Sequence, residues 1–134
     1  MKLVLKMFRQ RRVFSNFQRE VKALATNQAP GVQKLYGICL DECIIISEYA
    51  GKTLFSYLRR GRVTTRKSAL ILERLMRTAK GVLNKGYCHN DIKETNICVK
   101  YMSHRKTEVT LIDFGISSNI GNVITSLKRT PLHM

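Results

Sequence analysis

His89-Asn90-Asp91-Ile92-Lys93-Glu94-Thr95-Asn96, followed further on by Leu111-Ile112-Asp113-Phe114-Gly115, decides how this 134-residue chain is read. In order, the two stretches supply the polar groups that phosphoryl transfer needs. Asp91 can accept the proton of an attacking hydroxyl, and Lys93 can reach a migrating phosphoryl group. Asn96 and Asp113 are hard oxygen ligands suited to Mg²⁺, which keeps substrate phosphates in its shell. Either stretch alone is weak evidence, since Asp and Asn form turns in many proteins. Both in this order, each bounded by an apolar strand-like run, favour chemistry over turn formation.

Toward the N-terminus, Leu3 to Phe8 reads as a short buried strand carrying Lys6. From Phe14 to Ala25 the apolar residues at 14, 17, 21 and 24 form a helical stripe. Glu20 falls on that same face and points inward. A buried carboxylate needs a cation, and Lys6 is the candidate. Pro30-Gly31 breaks the helix, and strands follow over Val32 to Leu40 and Cys43 to Tyr49, joined by a tight turn at Asp41-Glu42.

Past Ala50-Gly51, Thr53 can cap a helix over Leu54 to Arg60 closed by Gly61. A longer helix is expected from about Lys67 to Lys85, its apolar face at 72, 75, 76, 79 and 83, with Gly86 past its end. Ile97 to Val99 and Val109 to Ile112 read as strands joined by a basic loop around Tyr101 to Thr107, and the chain is expected to be irregular beyond Gly115.

Composition bounds the rest. At 44% hydrophobic the chain is globular material, and its apolar runs are too short to span a membrane. Cys39, Cys43, Cys88 and Cys98 lack paired spacing and sit among apolar neighbours. They read as reduced core cysteines of an intracellular protein, cytoplasmic or nuclear. The net charge of +15 would attract polyanions, but the basic residues fall in short groups where loops and helix ends are expected. Without a stacking platform or nucleic-acid motif, nucleic acid is not the expected partner.

Taken together, the chain resembles the eukaryotic protein kinase family over essentially its whole length. Leu3-Val4-Leu5-Lys6 is similar to the family's V-A-I-K strand, and Phe17-Gln18-Arg19-Glu20-Val21 to the helix whose glutamate pairs with that lysine. Pro30 to Gly37 resembles P-N-I-V-K-L-Y-G, Ser47-Glu48-Tyr49-Ala50 the hinge, and Arg129 to Met134 the G-T-P-x-Y-M segment. The resemblance implies an α+β, two-lobed kinase-like fold, incomplete. Residues 1–50 would be the small-lobe portion and hinge, and residues 51–134 a large-lobe portion ending before A-P-E. ATP and Mg²⁺ are the implied cofactors. Lys6 and Glu20 would hold the α- and β-phosphates, and backbone groups of Glu48 and Ala50 the adenine. Asn96 and Asp113 would hold the metal, while Asp91 and Lys93 would serve the transfer. Ser47 would stand as a small gatekeeper, Thr130 would orient Asp91, and His89 would be structural. Lys93 points to the serine/threonine branch.

The departures carry expectations too. The Gly-rich loop does not precede Lys6 and A-P-E does not follow Met134, so an internal portion of a longer kinase or an incomplete gene model is expected. Such a portion would show little phosphotransfer alone, and a partner would cover its exposed large-lobe core. Asn90 replaces the arginine that would contact a phosphorylated activation loop. No carboxylate occurs from Tyr49 to Leu72, which predicts acidic or already phosphorylated protein substrates. The competing classes are a catalytically inactive kinase-like binding module and a small-molecule phosphotransferase of the same fold. Lys93, the full D-F-G and the T-P ending favour protein substrates over the latter.

Overall fold

The computed structural model describes residues 1–9, 13–61, 63–103 and 106–120. The helical stripe forms α1 (Val13–Thr26), which buries Phe17, Glu20, Ala23 and Leu24. Phe14, expected on that face, stays exposed and stacks on Phe17 at 6.2 Å instead. Strand β1 (Leu3–Met7) lies beside β3 (Ile44–Glu48), and β3 beside β2 (Leu35–Cys39), giving an antiparallel sheet of order β1-β3-β2. Strand β1 does not meet the expectation of burial, since Leu3, Val4, Leu5 and Met7 are exposed. Strand β2 starts at Leu35 rather than Val32. The backbone of Gly31 to Gln33 pairs elsewhere: Leu111 N–H donates to Gly31 O at 2.8 Å, and Gln33 N–H to Leu111 O at 3.1 Å. These bonds and the parallel Val32–Leu111 bridge stitch the small sheet to the second half of the chain.

That half opens with β4 (Lys52–Thr53) and α2 (Leu54–Arg59), where Ser56 N–H donates to Thr53 Oγ1 at 3.2 Å. Helix α3 (Thr65–Asn84) begins two residues earlier than expected because Thr64 caps it, accepting from Lys67 N–H at 3.2 Å. Its inward face also differs from the expected one. Ile71 and Val82 are buried, with Leu75 and Thr78 partly so, whereas Leu72, Met76 and Leu83 are exposed. The helix carries two adjacent apolar stripes, and the packing covers only one.

Strands β6 (Ile97–Ser103) and β7 (Lys106–Leu111) replace the basic loop expected over Tyr101 to Thr107. The ladder runs on through Lys100–Glu108, Tyr101–Thr107 and Ser103–Lys106. Alternation explains this: Thr107, Val109 and Leu111 are buried while Lys106 and Glu108 face water. Tyr101 packs edge-on against Tyr57 at 5.1 Å, which anchors the extension. Nor is the chain wholly irregular past Gly115, since β8 (Ser118–Asn119) pairs with β5 (Tyr87–Cys88). Of the four free cysteines only Cys98 is buried, and the others are half-exposed.

Gly31 has φ +89°, and a Cβ built there would overlap Thr78 Oγ1 on α3. Both facts demand glycine at the seam between the halves. Gly31→Ala is expected to cost about 1–3 kcal/mol and lower Tm. Adding Thr78→Ala removes the overlap but not the backbone strain, so it recovers only part. A Gly31→Ala chain melting like the parent would refute this account.

Candidate active site

Glu20 is 4% exposed, on the face of α1 that also buries the apolar Phe17, Ala23 and Leu24. Lys6 reaches it from β1, with Nζ donating to Oε1 at 2.8 Å and to Oε2 at 2.9 Å. The same ammonium lies 3.4 Å from Asp113 Oδ1, so one cation joins a helix, a strand and the D-F-G turn. Burial pulls the Lys6 ammonium down, yet the hydrogen bond and charge of Glu20, with Asp113, outweigh it and leave its pKa above the ordinary value. Burial raises the Glu20 carboxyl against the opposing pull of Lys6.

Asp113 adopts φ +61°, a conformation that Asp tolerates better than most side-chain-bearing residues. Its Oδ1 also accepts Gly115 N–H at 3.1 Å. The residue before it fastens the turn to the other loop, because Ile112 N–H donates to Asn96 O at 3.0 Å. Asn96, 7% exposed, turns its amide nitrogen toward Asp91, donating to the backbone O at 3.0 Å and to Oδ2 at 2.9 Å. That orientation leaves the Asn96 Oδ1 carbonyl to face a ligand. Lys93 Nζ stands 3.4 Å from Asp91 Oδ1. Lys6, Glu20 and Asp113 on one side and Asn96, Asp91 and Lys93 on the other are therefore joined through the backbone of Ile112.

His89 is the hub beneath them. Its Nδ1 accepts Asp91 N–H at 3.1 Å, and its Nε2 lies 2.9 Å from Ile112 O. A single neutral tautomer, protonated on Nε2, satisfies both bonds. Burial lowers its pKa, with the Ile112 carbonyl opposing. The ring meets Phe114 edge-on at 4.8 Å.

The hinge residues sit between the halves. Glu48 N–H donates to Lys34 O at 2.9 Å, and its carbonyl accepts Gln33 Nε2 at 3.1 Å, so only a second lone pair of that carbonyl is left for a ligand. No backbone partner among the described residues takes the amide of Ala50, which is 6% exposed. Ser47 is buried. Thr130 and the rest of the 121–134 segment lie outside the described residues. Several contacts were not read from the sequence, among them the following. The Lys6–Asp113 approach links positions 107 apart, and the Asn90 side chain binds Ile116 and Ser118, for which only its place beside Asp91 was a signal.

Among the described residues no three His, Cys, Asp or Glu side chains cluster as metal ligands. The donor set still suits Mg²⁺ held jointly with phosphates. One carboxylate and one amide oxygen lie on loops tied together, and the remaining positions fall to ligand oxygens and water. A cleft of about 560 Å³ is lined by Gln28 to Val32, Glu48, Arg74, Thr78 and Glu108 to Thr110; Glu48 borders it, but neither Asp91 nor Asp113 does.

This fold, with a lysine–glutamate pair set against an aspartate–asparagine loop pair, defines a phosphotransferase scaffold. The protein kinase domain family model matches residues 1–134, and the chain belongs to that family. Among curated relatives, a serine/threonine-protein kinase, KIC1, of Saccharomyces cerevisiae is 30% identical over 84% of this chain and 10% of its own length. The carbon catabolite-derepressing protein kinase of Candida albicans is 27% identical over 87% of the chain and 19% of its own. A probable serine/threonine-protein kinase, roco5, of Dictyostelium discoideum is 31% identical over 77% of the chain. The chain thus spans less than a fifth of the length of these relatives. No helix among the described residues is long and apolar enough to cross a membrane.

The raised Lys6 pKa sets a pH dependence. A cation whose folded value exceeds its ordinary 10.5 contributes stability that is complete below that value and is lost as pH rises through the folded one. Tm should therefore fall more steeply above about pH 10 in the parent than in Lys6→Met, which starts lower. Parallel alkaline slopes in the two proteins would remove the pair from this role.

Proposed function

We propose that the chain is the core of a Mg²⁺- and ATP-dependent serine/threonine protein kinase. The observation that supports it most is the continuity from Glu20 and Lys6 through Asp113 to Asn96 and Asp91, because phosphoryl transfer depends chiefly on positioning and charge. Bound Mg²⁺ would neutralise charge developing on the transferred phosphoryl group. Asn96 Oδ1 and the Asp113 carboxylate are the groups to hold it. Lys6, kept charged and directed by Glu20, presents its ammonium to the α- and β-phosphates. Asp91 accepts the hydrogen bond of a substrate hydroxyl and its proton, and Lys93 beside it supplies positive charge to the group in transit. The Ala50 amide and the Glu48 carbonyl offer a donor and an acceptor to adenine.

The exposed stripe at Leu72, Met76 and Leu83 supports a second reading, a kinase-like module that binds a partner without transferring phosphate. Nucleotide binding separates the two. At a hundredfold excess over Kd, Mg²⁺·ATP should add about 2.7 kcal/mol to the parent chain's stability, read as a rise in Tm. Asp113→Ala should lose the part that depends on magnesium, while Asp91→Ala should keep most of it. No Mg²⁺-dependent shift in the parent would leave the binding-module reading in place.

Substrate charge is read from the 52–67 surface, tied to the Asp91 loop by Phe55 N–H, which donates to Glu94 O at 3.0 Å. Lys52, Arg59, Arg60, Arg66 and Lys67 are all exposed within a stretch free of carboxylates. Acceptor sites flanked by Asp, Glu or phosphoserine are therefore expected to be preferred. A peptide array in which the active kinase selects arginine upstream of the acceptor would overturn that preference.

A further inference from the structure

We infer that Asn90 is a positioning residue that fastens the segment after Asp113 to the loop carrying Asp91 without any phosphate group; the inference rests on the functional reading of Asp91, Asn96 and Asp113. Both protons of its amide are spent on that segment. Nδ2 donates to Ile116 O at 3.1 Å and to Ser118 Oγ at 2.8 Å. The backbone makes the reach natural. Asn90 has φ +68°, a left-handed conformation that asparagine adopts at low cost.

The consequence for the site lies in where the two bonds land. Asp113 is already tied on its N-terminal side, through Ile112 N–H to Asn96 O at 3.0 Å. The Asn90 amide adds a tie on its C-terminal side, at Ile116. The D-F-G turn is thereby held at both ends to the same loop that carries Asp91 and Asn96. Two further connections extend the second tie: Cys88 pairs with Ser118, and Ile120 N–H donates to Gly86 O at 2.7 Å. An arginine at this place would carry a charge that calls for an anionic partner. The amide needs only a carbonyl and a hydroxyl, and both are present in the unmodified chain. The tie therefore sets the spacing of the two metal-holding groups before any modification occurs.

Hydrogen exchange tests the tie directly on the whole chain. Asn90→Gly deletes the amide while keeping φ +68° free of strain, so the fold is retained. Amides of residues 114–120 should exchange roughly fivefold faster in Asn90→Gly, the worth of about one exposed hydrogen bond, and less so in Ser118→Ala. Those of β1–β3 should not change. Unaltered exchange at 114–120 would overturn the tie, as would Asn90→Arg matching the parent. The positioning role is read from ADP affinity with and without Mg²⁺. Asn90→Gly should weaken the Mg²⁺-dependent increment severalfold and leave Mg²⁺-free binding untouched. Equal losses under both conditions would mark a merely structural contact and refute the role. A parent chain with no Mg²⁺-dependent ADP binding would refute the functional reading itself, while the exchange comparison still decides the tie.

Discussion

The Glu20 carboxylate, taken out of water on the inner face of α1, is the constraint around which the site is organised. An isolated charge in that setting is costly, so the helix can pack against the sheet only when a cation arrives with it. Lys6 is that cation, and its second contact with Asp113 carries the requirement across to the other half of the chain. Apolar side chains could fill the same space at less electrostatic cost. What they could not do is hold an ammonium in a defined place beside a carboxylate that belongs to a different element. The charged cluster thus serves position more than stability.

A second requirement comes from the backbone. The Ile112 N–H to Asn96 C=O bond, next to the Ile97–Leu111 ladder pair, aligns the turn bearing Asp113 with the loop bearing Asp91. His89 reinforces that alignment by accepting from one loop and donating to the other with a neutral ring. Burial lowers the pKa of the ring and so favours the neutral form that both bonds use. Charge is left to the residues around it. The loop pair is consequently rigid where its carboxylates are anchored and polar where a ligand would enter.

Local signals made much of this legible from the sequence. The period of α1 put Glu20 inward, Thr53 marked the start of α2, and the two motifs around Asp91 and Asp113 carried the family resemblance. Errors arose where tertiary partners overrode local pattern. Val32 looked like the start of a strand, but its stretch of backbone pairs with Leu111. Helix α3 showed one broad apolar face, and only contact with the rest of the chain selects Ile71 and Val82 over Leu72 and Met76. The basic residues between β6 and β7 suggested a loop, although alternation with Thr107 and Val109 was there to be seen. Contacts such as Asn90 with Ser118 had no local pattern behind them, because each partner is polar and indifferent to its neighbours in sequence.

The seam at Gly31 has a mechanical meaning. Beyond the shared apolar core, the first half is linked to the second by the Gly31–Leu111 stitches, the covalent crossing near Gly51, the Lys85 ammonium 3.0 Å from Gln28 O and the Lys100 ammonium 3.4 Å from Tyr49 O. Such links are places about which the two halves could pivot. Were the small sheet to rotate about those links, the contact where Lys6 meets Asp113 would open or close with it. The 3.4 Å contact between those two side chains is then a latch, and its making or breaking gauges how wide the jaw stands.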